Sequence, residues 1–125
     1  MLIEISVGEL ADKISILAIK LEKFRDAEKR KNVENEYAIL LPKMLATGIN
    51  TVSEEYLALK EVNLKLWDIE DNLRIKESKK EFDTQFIKLA RSVYYQNDER
   101  ARIKKDINLA CGSALVEEKE YVEYK

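Results

Sequence analysis

Apolar residues recur at three- and four-residue steps along most of the chain. Val7, Leu10, Ile14, Leu17, Leu21 and Phe24 form one such stripe, Ile16 and Ile19 add a second flank, and Ser6–Glu9 reads as a capping-box start just before them. A stripe this wide predicts a helix buried between two neighbours. Asp26 is the next N-cap signal, and Val33, Tyr37, Leu40, Leu41, Met44 and Leu45 predict a second amphipathic helix that stops before Gly48. Pro42 lies inside it, which removes a backbone donor and crowds the preceding turn, so the segment is expected to be kinked or split. Ser53–Glu55 opens a third helix, the longest, running to about Lys76.

Ser78–Lys80 reads as a turn, after which Phe82, Phe86, Leu89, Ala90 and Val93 resume a buried face that Ile103, Ile107 and Cys111 continue up to Gly112. Asn97 falls where that face would be buried. Either the helix breaks there, with Asn97 or Asp98 capping a new one, or a polar group is buried. At the two ends, Leu2–Ile5 and the alternation at Tyr121–Tyr124 allow a short strand pair. The pattern therefore predicts an all-α fold, four to five helices in an antiparallel bundle, with that terminal strand pair as an open alternative.

Composition narrows this further. The 125 residues are 46% hydrophobic and 37% charged, with 3 Gly and 1 Pro, which favours long helices in a single domain over 1–125. Net charge is -2 with Lys and Arg interleaved among acids, so no nucleic-acid partner is expected. The absence of His excludes an imidazole base and a His-containing zinc site. Cys111 has no second thiol, which fits a reducing, cytoplasmic setting and a small buried side chain. No window approaches the roughly 20 apolar residues of a membrane span, and Met1–Ile5 lacks the basic start of a signal peptide. No membrane association is expected.

Candidate chemistry concentrates on the third and fourth helices. Asn63, Trp67, Glu70, Arg74 and Glu77 follow one another at helical steps and share a face, beside the strip of Leu59, Leu66 and Leu73. A turn near Ser78–Lys80 brings opposite each other residues whose numbers sum to about 160: Glu70 with Arg91, Trp67 with Tyr94, Asn63 with Asn97 or Asp98. Two readings remain open. The pairs can be satisfied contacts that fix helix register. Alternatively they bound a polar cleft in which Arg74, Arg91, Arg100 and Lys104 offer donors to a small anionic ligand, Glu70 and Asp71 orient them, and Trp67 and Tyr94 provide a flat wall. The candidate ligand-binding set is thus Trp67, Glu70, Asp71, Arg74, Arg91, Tyr94, Asn97, Arg100 and Lys104, with no catalytic residue assigned.

A third reading gives Glu70, Asp71, Glu77, Glu81 and Asp83 a magnesium ion, as in helical nucleotide pyrophosphohydrolases. Those enzymes place acid pairs at helical steps on two helices, whereas here Asp68 and Asp71 make one such pair, the others are scattered among Lys and Arg, and no cofactor is assigned. A metal-free Arg/Lys/Glu site like that of the all-helical chorismate mutases is the other enzymatic alternative. Glu9, Asp12 and Lys13 read more simply as first-turn capping residues than as part of a site. Wide apolar stripes leave a protein partner or a homodimer open as well.

Three blocks carry a resemblance: SVGELADK at Ser6–Lys13, LWDIED at Leu66–Asp71 with Arg74, and EFDTQFIKLARSVY at Glu81–Tyr94 continuing to Asn97, Asp98, Arg100, Lys104, Ile107 and Asn108. Together they resemble a family of short bacterial proteins of unknown function. The resemblance spans nearly the whole chain and implies a bacterial or phage origin, a helical fold and a sugar or nucleotide-sugar context, associated with glycosyltransferase and surface-polysaccharide gene neighbourhoods. It implies no catalytic assignment.

Overall fold

The Ser6 side chain accepts the Glu9 amide at 3.1 Å, and α1 (Val7–Lys23) starts from that cap. Asp26 does the same for α2 (Ala27–Leu45), its carboxylate accepting the Lys29 amide. In this computed structural model, which describes residues 1–125, the remaining elements are α3 (Glu54–Ser78) and α4 (Thr84–Ala110). The fold is all-α. Four helices form, and the strand pair left open at the termini does not: Leu2–Ile5 and Tyr121–Tyr124 have no regular structure. Tyr124 instead sets its ring edge-on against Tyr94 and Tyr95 of α4, so an aromatic contact at the surface stands where strand pairing was expected.

α2 runs through Pro42 without splitting. α4 likewise continues through Asn97 and Asp98, so neither residue caps a new helix; Asp83 caps α4 by accepting the Phe86 amide at 2.9 Å. The turn between α3 and α4 is closed by a Schellman arrangement. Lys80 takes the left-handed position at φ 56 and the Glu81 amide returns to the Lys76 carbonyl at 3.0 Å. Gly112, at φ 62, ends α4 in the same manner, with the Ser113 amide on the Asn108 carbonyl.

α1 touches each of the other three helices. Its apolar stripe supplies Leu10, Ala11 and Ile14 to a core completed by Met44 and Ile49, by Tyr56, Leu59, Val62 and Leu66 of α3, and by Ile103 and Ile107 of α4. The core occupies only one end of the α3–α4 hairpin. From Trp67 to Arg102 no residue is buried, so that part of the hairpin extends beyond the core as a two-helix arm. No helix is long and apolar enough to cross a membrane.

The approach of α1 to α4 is set by Gly8. A Cβ built there would lie 2.4 Å from the Lys104 carbonyl oxygen, and the Gly8 amide donates to Asn108 Oδ1 at 2.6 Å. Because the obstructing atom is backbone, α4 itself must shift to admit a methyl group. Gly8→Ala is expected to destabilise the protein by about 1–3 kcal/mol, read as a lower urea midpoint with an unchanged slope. An unchanged midpoint would show that the two helices are not held at this distance.

Candidate functional site

Where α1, α3 and α4 meet, the stripe turns polar. Gly8, Asp12 and Ser15 follow at helical steps on α1, and Asn97, Arg100, Lys104 and Asn108 do so on α4. Asp12 is only 2% exposed and lies at the centre. Arg100 donates to both its oxygens, from Nε to Oδ1 at 2.9 Å and from Nη2 to Oδ2 at 2.5 Å. Asn63 Nδ2 reaches Asp12 Oδ1 at 2.9 Å and Ser15 Oγ at 2.8 Å, while Ser15 donates to the Asp12 carbonyl. No buried side-chain nitrogen or oxygen lacks a partner. Asp12 is therefore not the capping residue that its place near the helix start suggests.

Lys104, also buried, forms the next layer. Its ammonium lies 2.8 Å from Glu9, 3.0 Å from Glu117 in the segment after α4, and 4.0 Å from Asp12. Burial works against its charge, but the hydrogen bonds to Glu9 and Glu117 and the nearby Asp12 outweigh it and raise its pKa. The Lys104 hydrogen bond in turn holds Glu117 below the ordinary glutamate value. The first amides of α1 are occupied too, by Ser113 Oγ, Asn108 Oδ1 and Ser6 Oγ, so this helix end offers no free anion cradle.

Beside the cluster runs a groove of about 410 Å³ whose lining includes Ile16, Trp67, Glu70, Asp71, Arg74, Asn97 and Arg100. It gathers most of the candidate residues, though not through the expected pairs. Asn63 bonds to Asp12 and Ser15 instead of Asn97 or Asp98. Trp67 meets Phe24 at 6.1 Å instead of Tyr94, which stacks on Tyr95 and meets Tyr124. Glu70 meets Arg74 of its own helix at 3.7 Å instead of Arg91. The reason is that this polar face of α3 turns toward α1, while Leu59 and Leu66 join Ile103 and Ile107 in the core. Arg91 and Tyr94 lie outside the groove, and Lys104 lines a separate cleft of about 170 Å³ that shares Asn97 and Arg100 with it.

The acids offered to magnesium are dispersed among cations: Glu77 with Lys80, Glu81 and Asp83 with Lys76, Glu70 with Arg74. No three Asp, Glu or Cys side chains come together in a group that could hold a metal ion.

The sequence matches the model of a family of unknown function, DUF6165, over residues 1–124. The chain belongs to this family. No curated protein and no solved structure matches it. The DUF6165 match spans both the polar crossing and the groove, and assigns a role to neither.

Two outcomes test the crossing. Arg100→Ala leaves a buried carboxylate with its main countercharge removed and should lower unfolding free energy by about 3–5 kcal/mol at neutral pH, measured by urea denaturation; a loss below 1 kcal/mol would mean that Asp12 is not held as a desolvated anion. The second concerns pH. Because Glu117 has a lowered pKa in the folded state, its contribution is present above the free glutamate value of about 4.3 and is lost as pH falls through the lowered folded value. The melting temperature of Glu117→Gln should therefore lie below wild type at pH 6 and meet it near pH 3. A difference that persists in acid would exclude this carboxylate as its source.

Proposed function

We propose that this protein is a non-catalytic helical module that binds a small anionic ligand of sugar or nucleotide type in the groove beside Trp67. The observation that carries the reading is the state of Arg100. Its Nε and Nη2 are held by Asp12, which fixes the guanidinium plane, while Nη1 has only Asn97 Oδ1 at 3.5 Å, the outer limit of a hydrogen bond. An oriented guanidinium with one open edge suits a phosphate or carboxylate, because its placement costs little at the moment of binding.

The rest of the lining complements that edge. Arg74, with a side chain 80% exposed and only a loose contact to Glu70, can turn to the same anion. Trp67 gives a ring a flat neighbour over the apolar Ile16, Ile19 and Leu66, and Glu70 and Asp71 can accept from hydroxyl groups. The volume lies in the range of small-ligand sites. The sugar context implied by the resemblance points the same way.

Trp67 is the only tryptophan, so its emission reports on the groove directly. Titration with UDP-glucose, UDP, glucose 1-phosphate and inorganic phosphate should give a saturable change with at least one sugar-bearing probe. Arg74→Ala should weaken it by roughly ten- to a hundredfold, the worth of a charged hydrogen bond, without lowering the melting temperature. If none of the four probes changes the emission or raises the melting temperature, this reading is lost.

A further inference from the structure

The arm from Trp67 to Arg102 is an incomplete structure by ordinary packing rules. Two helices shield only the seam between them, and Ile75, Phe82, Ile87 and Tyr94 keep between 42% and 55% of their surface exposed. The exposed total is also too large. The chain presents 8635 Å² of surface, whereas a compact monomer of 14.6 kDa presents about 6,900 Å². The excess over the whole chain is about 1,700 Å², roughly twice what one partner contributes to a stable protein interface, and the exposed arm shares in it.

Charge along the arm is segregated. Toward the tip, Arg74, Lys76, Lys79, Lys80, Lys88 and Arg91 face only three acids, Glu77, Glu81 and Asp83. Toward the core, Asp68, Glu70, Asp71, Asp98 and Glu99 stand against Arg100 and Arg102, both already engaged, with Asp12 and with Glu99 and Asp106. The intramolecular ion pairs of the tip involve Arg74, Lys76 and Lys80, which leaves Lys79, Lys88 and Arg91 without a carboxylate. At the base, Asp71 pairs with no cation, and Asp98 only accepts the Tyr124 hydroxyl.

We propose that the arms of two copies of this chain pair antiparallel about a twofold axis into a four-helix bundle, each basic tip lying along the acidic base of the other. A side-by-side pairing in the same direction sets tip against tip and base against base, with like charges opposed. The antiparallel pairing opposes unlike charges twice, because a twofold interface repeats every contact. It also covers Phe82 and Ile87, the most exposed large apolar side chains of the arm. The four-helix product is the ordinary solution for two hairpins with apolar faces.

Light scattering of the intact protein across a concentration series tests this. The expected mass is twice 14.6 kDa, with a dissociation constant that rises with salt. Ile87→Asp, at an exposed position, should raise that constant at least tenfold while helicity by circular dichroism is unchanged. Lys88→Glu with Arg91→Glu should also give monomer. Adding Asp71→Lys and Asp98→Lys to the same chain inverts both ends of the arm and should restore the dimer, which a tip-to-tip arrangement would not allow. A monomer at every concentration overturns the proposal, as does a dimer indifferent to these changes or a four-site variant that stays monomeric.

Discussion

A carboxylate shut away from water must be given partners, and in this protein that requirement sets where three helices cross. Asp12 lies buried inside α1, so α4 has to bring Arg100 and α3 has to bring Asn63 to the same point. One turn earlier, Gly8 lets α4 approach to backbone contact, and Asn108 takes the amide that faces it. A buried ion pair need add no net stability over a well-packed apolar cluster. Its effect here is on alternatives: slipping α4 by one turn would leave Asp12 bare, at a cost of several kcal/mol. The apolar core alone would tolerate that slip far better, since Leu66, Ile103 and Ile107 present similar surfaces turn after turn.

The same cluster divides the molecule. On one side lies the core of Ile14, Met44, Leu59 and Ile107; on the other, α3 and α4 continue with no third helix against them. The groove falls at the boundary, where α1 leaves the face of α3 that holds Trp67 and Glu70. Its polar lining is thus a consequence of topology. Residues that would have been covered had α1 followed the hairpin further are left beside open space, and Arg100, fixed from behind by Asp12, is the one among them whose geometry the core determines.

The fold was largely legible in the sequence, because capping residues and apolar spacing are local signals. Ser6, Asp26 and Gly112 do what their positions suggest. The grouping of the candidate residues was legible only in part. Trp67, Glu70, Asp71, Arg74, Asn97 and Arg100 do line one groove, but their partners differ from those that the spacing predicts, because the polar face of α3 meets α1 as well as α4. The register across the turn is close to the expected one, with Lys76 meeting Asp83. Asp12 is hard to single out from sequence because acids near a helix start usually serve the helix end. The signal that would have found it is the matching of two polar strips, Gly8, Asp12 and Ser15 on α1 and Arg100, Lys104 and Asn108 on α4, each at helical spacing among buried apolar neighbours. Asn97 illustrates the ambiguity: a polar residue on an apolar stripe reads equally as a break or as a buried contact, and here the helix continues.

Arg100 joins these zones physically. It belongs to the arm by position, to the core by its bond to Asp12 and to the groove by its remaining edge. A ligand held between Ile16 and Ile19 of α1 and Arg74 of α3 would bridge core and arm, fixing the direction in which the arm leaves the core. Antiparallel pairing of arms would bring the basic tip of a second copy toward Glu70 and Asp71, the acids on the arm side of the same groove. Binding in the groove and pairing of the arms would then act on one junction, and a ligand with differential affinity for paired and unpaired arms would shift their association by that difference. An anion carrying more charge than the Arg74 cation it engages would leave net negative potential where the partner's basic tip arrives, and would so favour the paired state.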